Sequence, residues 1–209
     1  MRNINKGTEP RSLTEHRCNP PSDYENYAEK DDLRQSLVRE QRGICCYCMQ
    51  RIRPNSDSMK IEHWQCQGYV ERQLDYKNLL GACLGSEGQA KKNQHCDTRK
   101  GDLNLSYNPA DPNHDVESKL RFLGNGIIQA TESEFDKEIN EILNLNEGFL
   151  VSNRQATFEA ITKFMDRNPS KAEIQKELRK WNGDSDDGPL EPFCQVVVYY
   201  LRKRLRKMP

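Results

Sequence analysis

The sequence predicts an α+β protein with a small zinc-stapled core and a mainly helical C-terminal region. Two observations lead to this prediction. Four cysteines in two groups, together with short strand-like segments, occupy the stretch from Cys45 to Asp102. From Phe135 onward, apolar residues recur at helical spacing. We therefore divide the 209-residue chain into an extended N-terminal arm (1–30), a core (31–108) and a mainly helical region (109–209).

The bulk composition indicates how the fold is stabilised more clearly than what it binds. Lys plus Arg number 32, as do Asp plus Glu, so net charge favours neither a nucleic acid nor a membrane as partner. Only 34% of residues are apolar, so we expect a metal or a partner protein to support a modest core. Without a secretory signal or a membrane span, we expect a cytoplasmic protein with no membrane partner. In the cytoplasm, eight cysteines indicate metal binding or catalysis rather than disulfides.

Local patterns predict the elements of the arm and the core. The arm carries Pro10, Pro20 and Pro21 and little periodicity, which is typical of an extended segment with short turns. The core is predicted to contain a helix, two short strands joined by a turn, and a second helix: residues 31–42, 51–53, 59–61 and 97–103. Gly81-Ala82-Cys83 is predicted to turn out of the preceding Asn78-Leu79-Leu80 segment.

The region after residue 108 begins with a break rich in proline and asparagine. Residues 120–123 and 127–128, separated by Gly124-Asn125-Gly126, predict a small hairpin. Apolar helix faces follow, at Phe135, Ile139, Ile142 and Leu143, at Phe158, Ile161, Phe164 and Met165, and at Ile174 and Leu178. A last helix is predicted from about Glu191 to Lys207.

The cysteines are candidate zinc ligands. Cys45 and Cys48 form a C-x-x-C pair, in which both thiolates can reach one tetrahedral ion. Cys83 and Cys96 are separated by twelve residues, but a looped-out insertion can leave its two ends adjacent. Buried free thiols are the alternative, and the substitute ligands are Cys46, Cys66 and His95.

Glu62 and His63 are candidates for metal binding and general base catalysis. A histidine can take a proton from water near neutral pH, and a carboxylate binds a hard cation such as Mg²⁺ or Mn²⁺. Adjacent residues on a strand point to opposite faces, so the pair shares a site only where the strand ends or bends. Asp97 is a second candidate cation ligand, or simply a helix cap. Asn78 is expected to hold the histidine-bearing loop, a role that overlaps with that of a turn asparagine.

Basic residues suggest contacts with nucleic acid. Arg99 and Lys100 lie on the first turn of the predicted second core helix, where they suit phosphate contacts, although an exposed helix face explains them equally well. The tail from Arg202 to Lys207 is basic, and it suits either nucleic acid, an acidic partner or a solvated helix end.

Taken together, these residues resemble the HNH endonuclease family, whose core is a ββα-metal fold. The family pattern is matched in order by Cys45 and Cys48, Glu62-His63, Asn78-Leu79, Cys83, and Cys96-Asp97-Thr98-Arg99-Lys100-Gly101-Asp102. The chain departs from that pattern in having Glu at position 62, Asp at position 97 and the inserted loop before Cys96. The Asp keeps an oxygen ligand but leaves the metal preference open.

The wider layout is similar to the PtuB-type HNH subunit of Septu and retron-linked anti-phage systems. The likeness lies in the opening residues 1–7, the doubled cysteine, Lys60-Ile61-Glu62-His63-Trp64 and residues 95–102. It implies a structural Zn²⁺, a catalytic Mg²⁺ or Mn²⁺ and a nucleic-acid substrate, with DNA ahead of RNA such as tRNA. It also implies an ABC- or SMC-like ATPase partner of the PtuA type, with a retron reverse transcriptase and its msDNA as further components. The alternative function is a zinc-bound interaction module without catalysis.

Overall fold

The computed structural model describes residues 1–185 and 187–208, and these form an α+β fold, as predicted. Within them lie seven α-helices: α1 Arg11–Arg17, α2 Lys30–Glu40, α3 Cys96–Lys100, α4 Ser133–Lys137, α5 Gly148–Met165, α6 Lys171–Asn182 and α7 Cys194–Leu205. Four strands make two antiparallel pairs: β1 Met59–His63 with β2 Leu79–Cys83, and β3 Leu120–Phe122 with β4 Ile128–Ala130. Across these two described ranges, no helix has both the length and the apolar character needed to cross a membrane.

The order β1, β2, α3 forms a small ββα unit, in which α3 packs against β2. The β1–β2 register pairs His63 with Leu79 at one end and Met59 with Cys83 at the other. This register places His63 beside the start of β2, next to Asn78, and places Cys83 at the opposite end. His63 and Cys83 therefore lie at opposite ends of the same two-stranded sheet.

The predicted strand over residues 51–53 is wrong, because β1 pairs with β2 instead. Arg51 forms only an isolated bridge with Ile44. All five residues of β2 are buried, so the strand shows no alternation of apolar and polar residues that would reveal it. Gly81 was predicted to belong to a turn, but it allows close packing in the middle of β2. A Cβ there would lie 3.0 Å from side-chain atoms of Ile52 and Met59.

The N-terminal arm is not simply extended, because it contains α1 and contributes to the core. Pro10 is the N-cap of α1, where its missing N–H costs no helical hydrogen bond. Met1, Leu13 and Tyr27 are buried, and the backbone N–H of Ile4 donates to the carbonyl of Pro109 at 2.8 Å. With only seven residues, α1 is too short to give a clear helical period in the sequence.

The structure confirms the predicted hairpin at β3–β4 and the last helix at α7. Helices α6 and α7 pack together, and Ile161, Ile174, Val197 and Leu201 are buried between the C-terminal helices. The main core draws residues from all three predicted regions. The N–H of Phe193 donates to the carbonyl of Met49 at 3.1 Å, which ties the start of α7 directly to the cysteine-bearing turn.

Candidate metal centre and catalytic site

Four cysteines from three parts of the ββα unit converge on one point. Cys45 and Cys48 lie on the turn before β1, Cys83 ends β2, and Cys96 begins α3. All four are buried, and their sulfur atoms lie within 4.8 Å of one another. The Cys45–Cys96 and Cys48–Cys83 sulfur distances are 3.9 and 3.6 Å. A tetrahedral zinc site with Zn–S bonds of about 2.3 Å requires sulfur separations of about 3.8 Å, so this donor set fits zinc.

Backbone geometry positions each cysteine pair. In the first turn, the N–H of Cys45 donates to the carbonyl of Gln50 at 2.8 Å, and Met49 takes a positive φ of 67°. In the second, the N–H of His95 donates to the carbonyl of Gly85 at 3.0 Å and closes the inserted loop at its base. A Cβ at Gly85 would lie 2.1 Å from that His95 backbone oxygen, so the closure depends on glycine. The insertion therefore leaves Cys83 and Cys96 adjacent, as predicted.

Of the three substitute ligands, Cys46 hydrogen-bonds to the side chain of Cys45, and His95 contacts two other sulfur atoms of the cluster. Its Nδ1 lies 3.2 Å from the sulfur of Cys96 and 3.9 Å from that of Cys83. Burial opposes protonation of His95, but the thiolate of Cys48 outweighs that effect and raises its pKa. His95 therefore suits a hydrogen-bond donor to the sulfur atoms, whereas Cys46 and Cys66 lie outside the four-sulfur group.

Arg154 of α5 supplies a buried positive charge near the four sulfurs. It is 2% exposed, and its guanidinium donates to the carbonyl oxygens of Gly126 at 2.6 Å and Leu145 at 2.8 Å. Burial lowers its pKa to about 10, while the charges of Cys48 and Cys96 oppose that shift. A zinc ion bound by four thiolates would carry a net negative charge, which this cation would offset. Arg154 was not predicted from the sequence, although an arginine four residues after Leu150 on a buried helix face is a usable signal.

Glu62 is a buried carboxylate, 2% exposed, with two strong donors. The Tyr47 hydroxyl donates to its Oε1 at 2.6 Å, and the Lys100 ammonium lies 2.9 Å from the same atom. Burial raises the pKa of Glu62 well above its ordinary value, and the neighbouring Asp97 carboxylate raises it further, while Lys100 opposes both. A metal cation bound at this point would favour the ionised form of Glu62, because a nearby opposite charge lowers the pKa of a carboxyl group.

His63 ends β1 and is held in a defined orientation. Its Nε2 lies 3.1 Å from the carbonyl oxygen of Gln73, and its Nδ1 lies 3.4 Å from the amide nitrogen of Gln67. Because a carbonyl oxygen only accepts, Nε2 carries the proton of the neutral ring and Nδ1 keeps its lone pair. Burial lowers the pKa of His63, so the ring is neutral near pH 7.

Asp97 lies near enough to act on both Glu62 and His63. It lies in the first turn of α3 and is half-buried. Its charge raises the pKa of Glu62 and also acts to raise that of His63, against the stronger effect of burial. The strand end thus brings residues 62, 63 and 97 into one electrostatic neighbourhood. The two carboxylates are hard oxygen donors of the kind that Mg²⁺ or Mn²⁺ takes.

Asn78 fixes the loop that follows His63 and does not contact the imidazole. Its carboxamide accepts from the N–H of Gln65 at 2.7 Å and donates to the carbonyl oxygens of Gln65 at 3.0 Å and Arg72 at 3.1 Å. Its own carbonyl accepts from Trp64 at 3.0 Å. These contacts match the predicted loop-holding role and make Asn78 a positioning residue rather than a catalytic one.

The prediction that Lys100 contacts phosphate is wrong. Its side chain is 1% exposed and donates to Glu62 and to the carbonyl of His63 at 3.1 Å. The guanidinium of Arg99 is engaged too, donating to the carbonyl of Lys91 at 2.8 Å. Helix α3 is only five residues long, so Lys100 falls in its last turn and turns inward, which the pattern of charges along the sequence does not reveal.

Tyr47 and Tyr24 are site residues that the sequence analysis did not identify. Tyr47 stands inside the cysteine pair and binds Glu62. Tyr24 comes from the arm, and its ring centroid lies 4.5 Å from that of His63, with the two rings perpendicular. Compared with known proteins, the chain matches no protein-family model and no curated sequence.

Proposed function

We propose that this chain is a metal-dependent endonuclease that hydrolyses phosphodiester bonds in nucleic acids, with DNA ahead of RNA as the substrate. One observation carries the proposal: His63 is buried, neutral and oriented, with an unprotonated Nδ1 that faces the Gln67 amide, in the same neighbourhood as two carboxylates. A purely structural zinc site requires none of these groups, so the arrangement favours hydrolysis over a non-catalytic interaction module.

In the proposed reaction, His63 acts as the general base. Its Nδ1 takes a proton from a water molecule in the position now faced by the Gln67 amide, while the water oxygen attacks phosphorus. The bond to the 3′-oxygen breaks, that oxygen leaves as an alkoxide and takes a proton from a second water molecule, and the resulting hydroxide takes the proton from the imidazolium of His63. Glu62 and Asp97 would hold Mg²⁺ or Mn²⁺, which supplies charge stabilisation for the phosphate and the leaving oxygen.

The remaining residues support this chemistry. Gln73 fixes the tautomer of His63 through its carbonyl, and Asn78 fixes the loop between them. Lys100 and Tyr47 orient the Glu62 carboxylate. The four cysteines would hold zinc as a structural ion, because four sulfur donors complete a tetrahedral site and leave no position for a water molecule.

The resemblance supports two wider proposals about context. The first is a role in anti-phage defence, and the second is an ABC- or SMC-like ATPase partner of the PtuA type that directs the nuclease, with a retron reverse transcriptase and its msDNA as further components.

The test compares His63→Ala with His16→Ala as a matched control. His16 lies on α1 and contacts the carbonyl of Asp23 instead of the candidate site. Each protein, with and without the ATPase, is incubated with plasmid DNA and total RNA in Mg²⁺, Mn²⁺ or EDTA. We expect His63→Ala to keep its zinc and thermal stability but lose cleavage by orders of magnitude, while His16→Ala cuts normally. Normal cleavage by His63→Ala, or no cleavage by any ATPase-supplemented protein, would contradict the proposal.

A further inference from the structure

Residues of the arm and of the start of α2 form a surface beside His63, which is called the wall. The perpendicular ring contact between Tyr24 and His63 is held from the arm side as well, because the N–H of Tyr24 approaches the Gln73 side-chain oxygen at 3.4 Å. Gln73 is also the residue whose carbonyl orients His63. The arm is therefore part of the candidate site, even though its sequence shows no motif.

Two cations from α2 extend this wall. The ammonium of Lys30 lies 4.8 Å from the centroid of the Tyr24 ring. Arg34 lies one helical turn further along, and residues four apart share a helix face. Its Nη1 binds the carboxylate of Asp31 at 2.6 Å, but that carboxylate is 77% exposed and the pair is of the weak, solvent-screened kind.

Arg34 has an unused donor. Its Nε is buried and has no hydrogen-bond partner among the residues that the structure describes. A buried donor left unpaired is costly, and an anion bound beside it would remove that cost. The guanidinium presents its donors in a planar fork that matches phosphate oxygens.

The hydroxyl of Tyr24 completes the group. Burial raises the pKa of Tyr24 to about 12, the charge of Arg34 opposes that shift, and Asp97 adds to it. The phenol therefore stays protonated and lies within the influence of both charges. Within the described ranges, its hydroxyl makes no hydrogen bond, so it is free to donate one.

We propose that Tyr24, Lys30 and Arg34 bind a backbone phosphate of the substrate beside His63. This inference rests on the proposed nuclease function and replaces Arg99 and Lys100 as the phosphate-binding group, because Lys100 is buried against Glu62 and Arg99 donates to the carbonyl of Lys91. It assigns the arm and α2 a share in substrate binding, and it makes the segment outside the ββα unit necessary for cleavage.

The experiment measures binding apart from cleavage. The probe is a fluorescent DNA duplex, and anisotropy is recorded in EDTA over a series of salt concentrations. The variants are Arg34→Gln, Arg34→Lys, Tyr24→Phe and Lys30→Gln, with Arg39→Gln as the matched control. Arg39 lies in the last turn of the same helix, and its charge acts on Tyr76 and not on Tyr24. Zinc content and melting temperature are checked for every variant.

We expect Arg34→Gln to weaken binding about tenfold and to reduce the slope of log affinity against log salt by about one. Lys30→Gln should show a smaller loss with a similar change of slope, and Arg34→Lys should restore part of the affinity because it keeps the charge without the fork. Tyr24→Phe should weaken binding a few-fold without changing the slope, since it removes a neutral donor.

The inference would be overturned if Arg34→Gln and Lys30→Gln both bound the duplex as tightly as Arg39→Gln. Equal losses of DNA affinity in all three variants would overturn it as well. The outcome is distinguishable from failure of the proposed function. If the unaltered chain cuts in Mg²⁺ while the wall variants bind and cut normally, only the inference fails. If it binds through the wall but His63→Ala has no effect on cleavage, the catalytic proposal fails and the binding wall stands.

Discussion

Replacing Cys83 by Ser tests the candidate zinc centre formed by the four buried cysteines. The substitution removes one of four sulfur atoms at the end of β2, where the neighbouring Cys48 sulfur is 3.6 Å away. An oxygen of a neutral serine is a poor zinc ligand beside three thiolates. We expect the variant to lose its zinc and much of its stability.

The expected loss of stability follows from the typical free energies of zinc binding and of folding. Structural zinc sites contribute about 10–16 kcal/mol in small domains, whereas whole proteins are stable by only about 5–15 kcal/mol. Even if one ligand accounted for only a quarter of the lower figure, the loss would be about 2.5 kcal/mol. At about 2–4 °C per kcal/mol for a chain of this size, the melting temperature should fall by at least about 5 °C.

The assay combines zinc analysis of the purified protein with thermal unfolding followed by circular dichroism. Cys66→Ser is the matched control, because Cys66 is only partly buried and lies outside the four-sulfur group. A strong chelator should lower the melting temperature of the control and the unaltered protein, but not that of Cys83→Ser. If Cys83→Ser retained one zinc per chain and melted within about 2 °C of Cys66→Ser, the four-cysteine centre would be refuted.

Three further predictions concern the catalytic half of the site. Asn78→Ala removes three hydrogen bonds to the backbone of residues 65–72, so the free energy of unfolding should fall by about 3 kcal/mol. Cleavage should fall as well, while zinc is retained. An unchanged denaturant midpoint would contradict this prediction. Because burial lowers the pKa of His63 below its ordinary 6.5, cleavage should be level from about pH 7 to 8 and lost as pH falls through a midpoint below 6.5; a pH–rate midpoint above 6.5 would show that another group is titrating. Lys100→Met leaves the Glu62 carboxylate buried without its ammonium. The loss in the free energy of unfolding at pH 7 is limited to the cost of protonating a carboxyl group with an ordinary pKa of 4.5, about 3.4 kcal/mol. This loss should shrink toward pH 5, and urea titrations at both pH values can check it.

The site could be predicted from the sequence wherever local spacing carries the chemistry. A C-x-x-C turn places two thiolates together whatever surrounds it, and Cys83 and Cys96 converge because a loop closes at Gly85. The Glu62-His63 pair was identified by residue type and position. The structure places both residues within β1, and the Asp97 carboxylate acts on the pKa of each.

Misassignments arose where burial hides periodicity or where contacts come from distant segments. The strand β2 is buried throughout, so its composition resembles a turn around Gly81 rather than a strand. Lys100 has the sequence signature of a surface cation, yet its partner Glu62 lies 38 residues earlier in the chain and draws it inward. Tyr24 reaches His63 only because the arm folds back over the core.

The sequence by itself determined the α+β class, the cluster of four cysteines, the helices α2 and α7 and the hairpin β3–β4. These depend on turn chemistry, caps and short-range periodicity, which neighbouring residues specify. Only the tertiary structure decided which strand pairs with β1, which cations are buried and which side chains surround His63. Those features depend on burial and on charge pairing across the chain, and both exist only once distant segments have packed together.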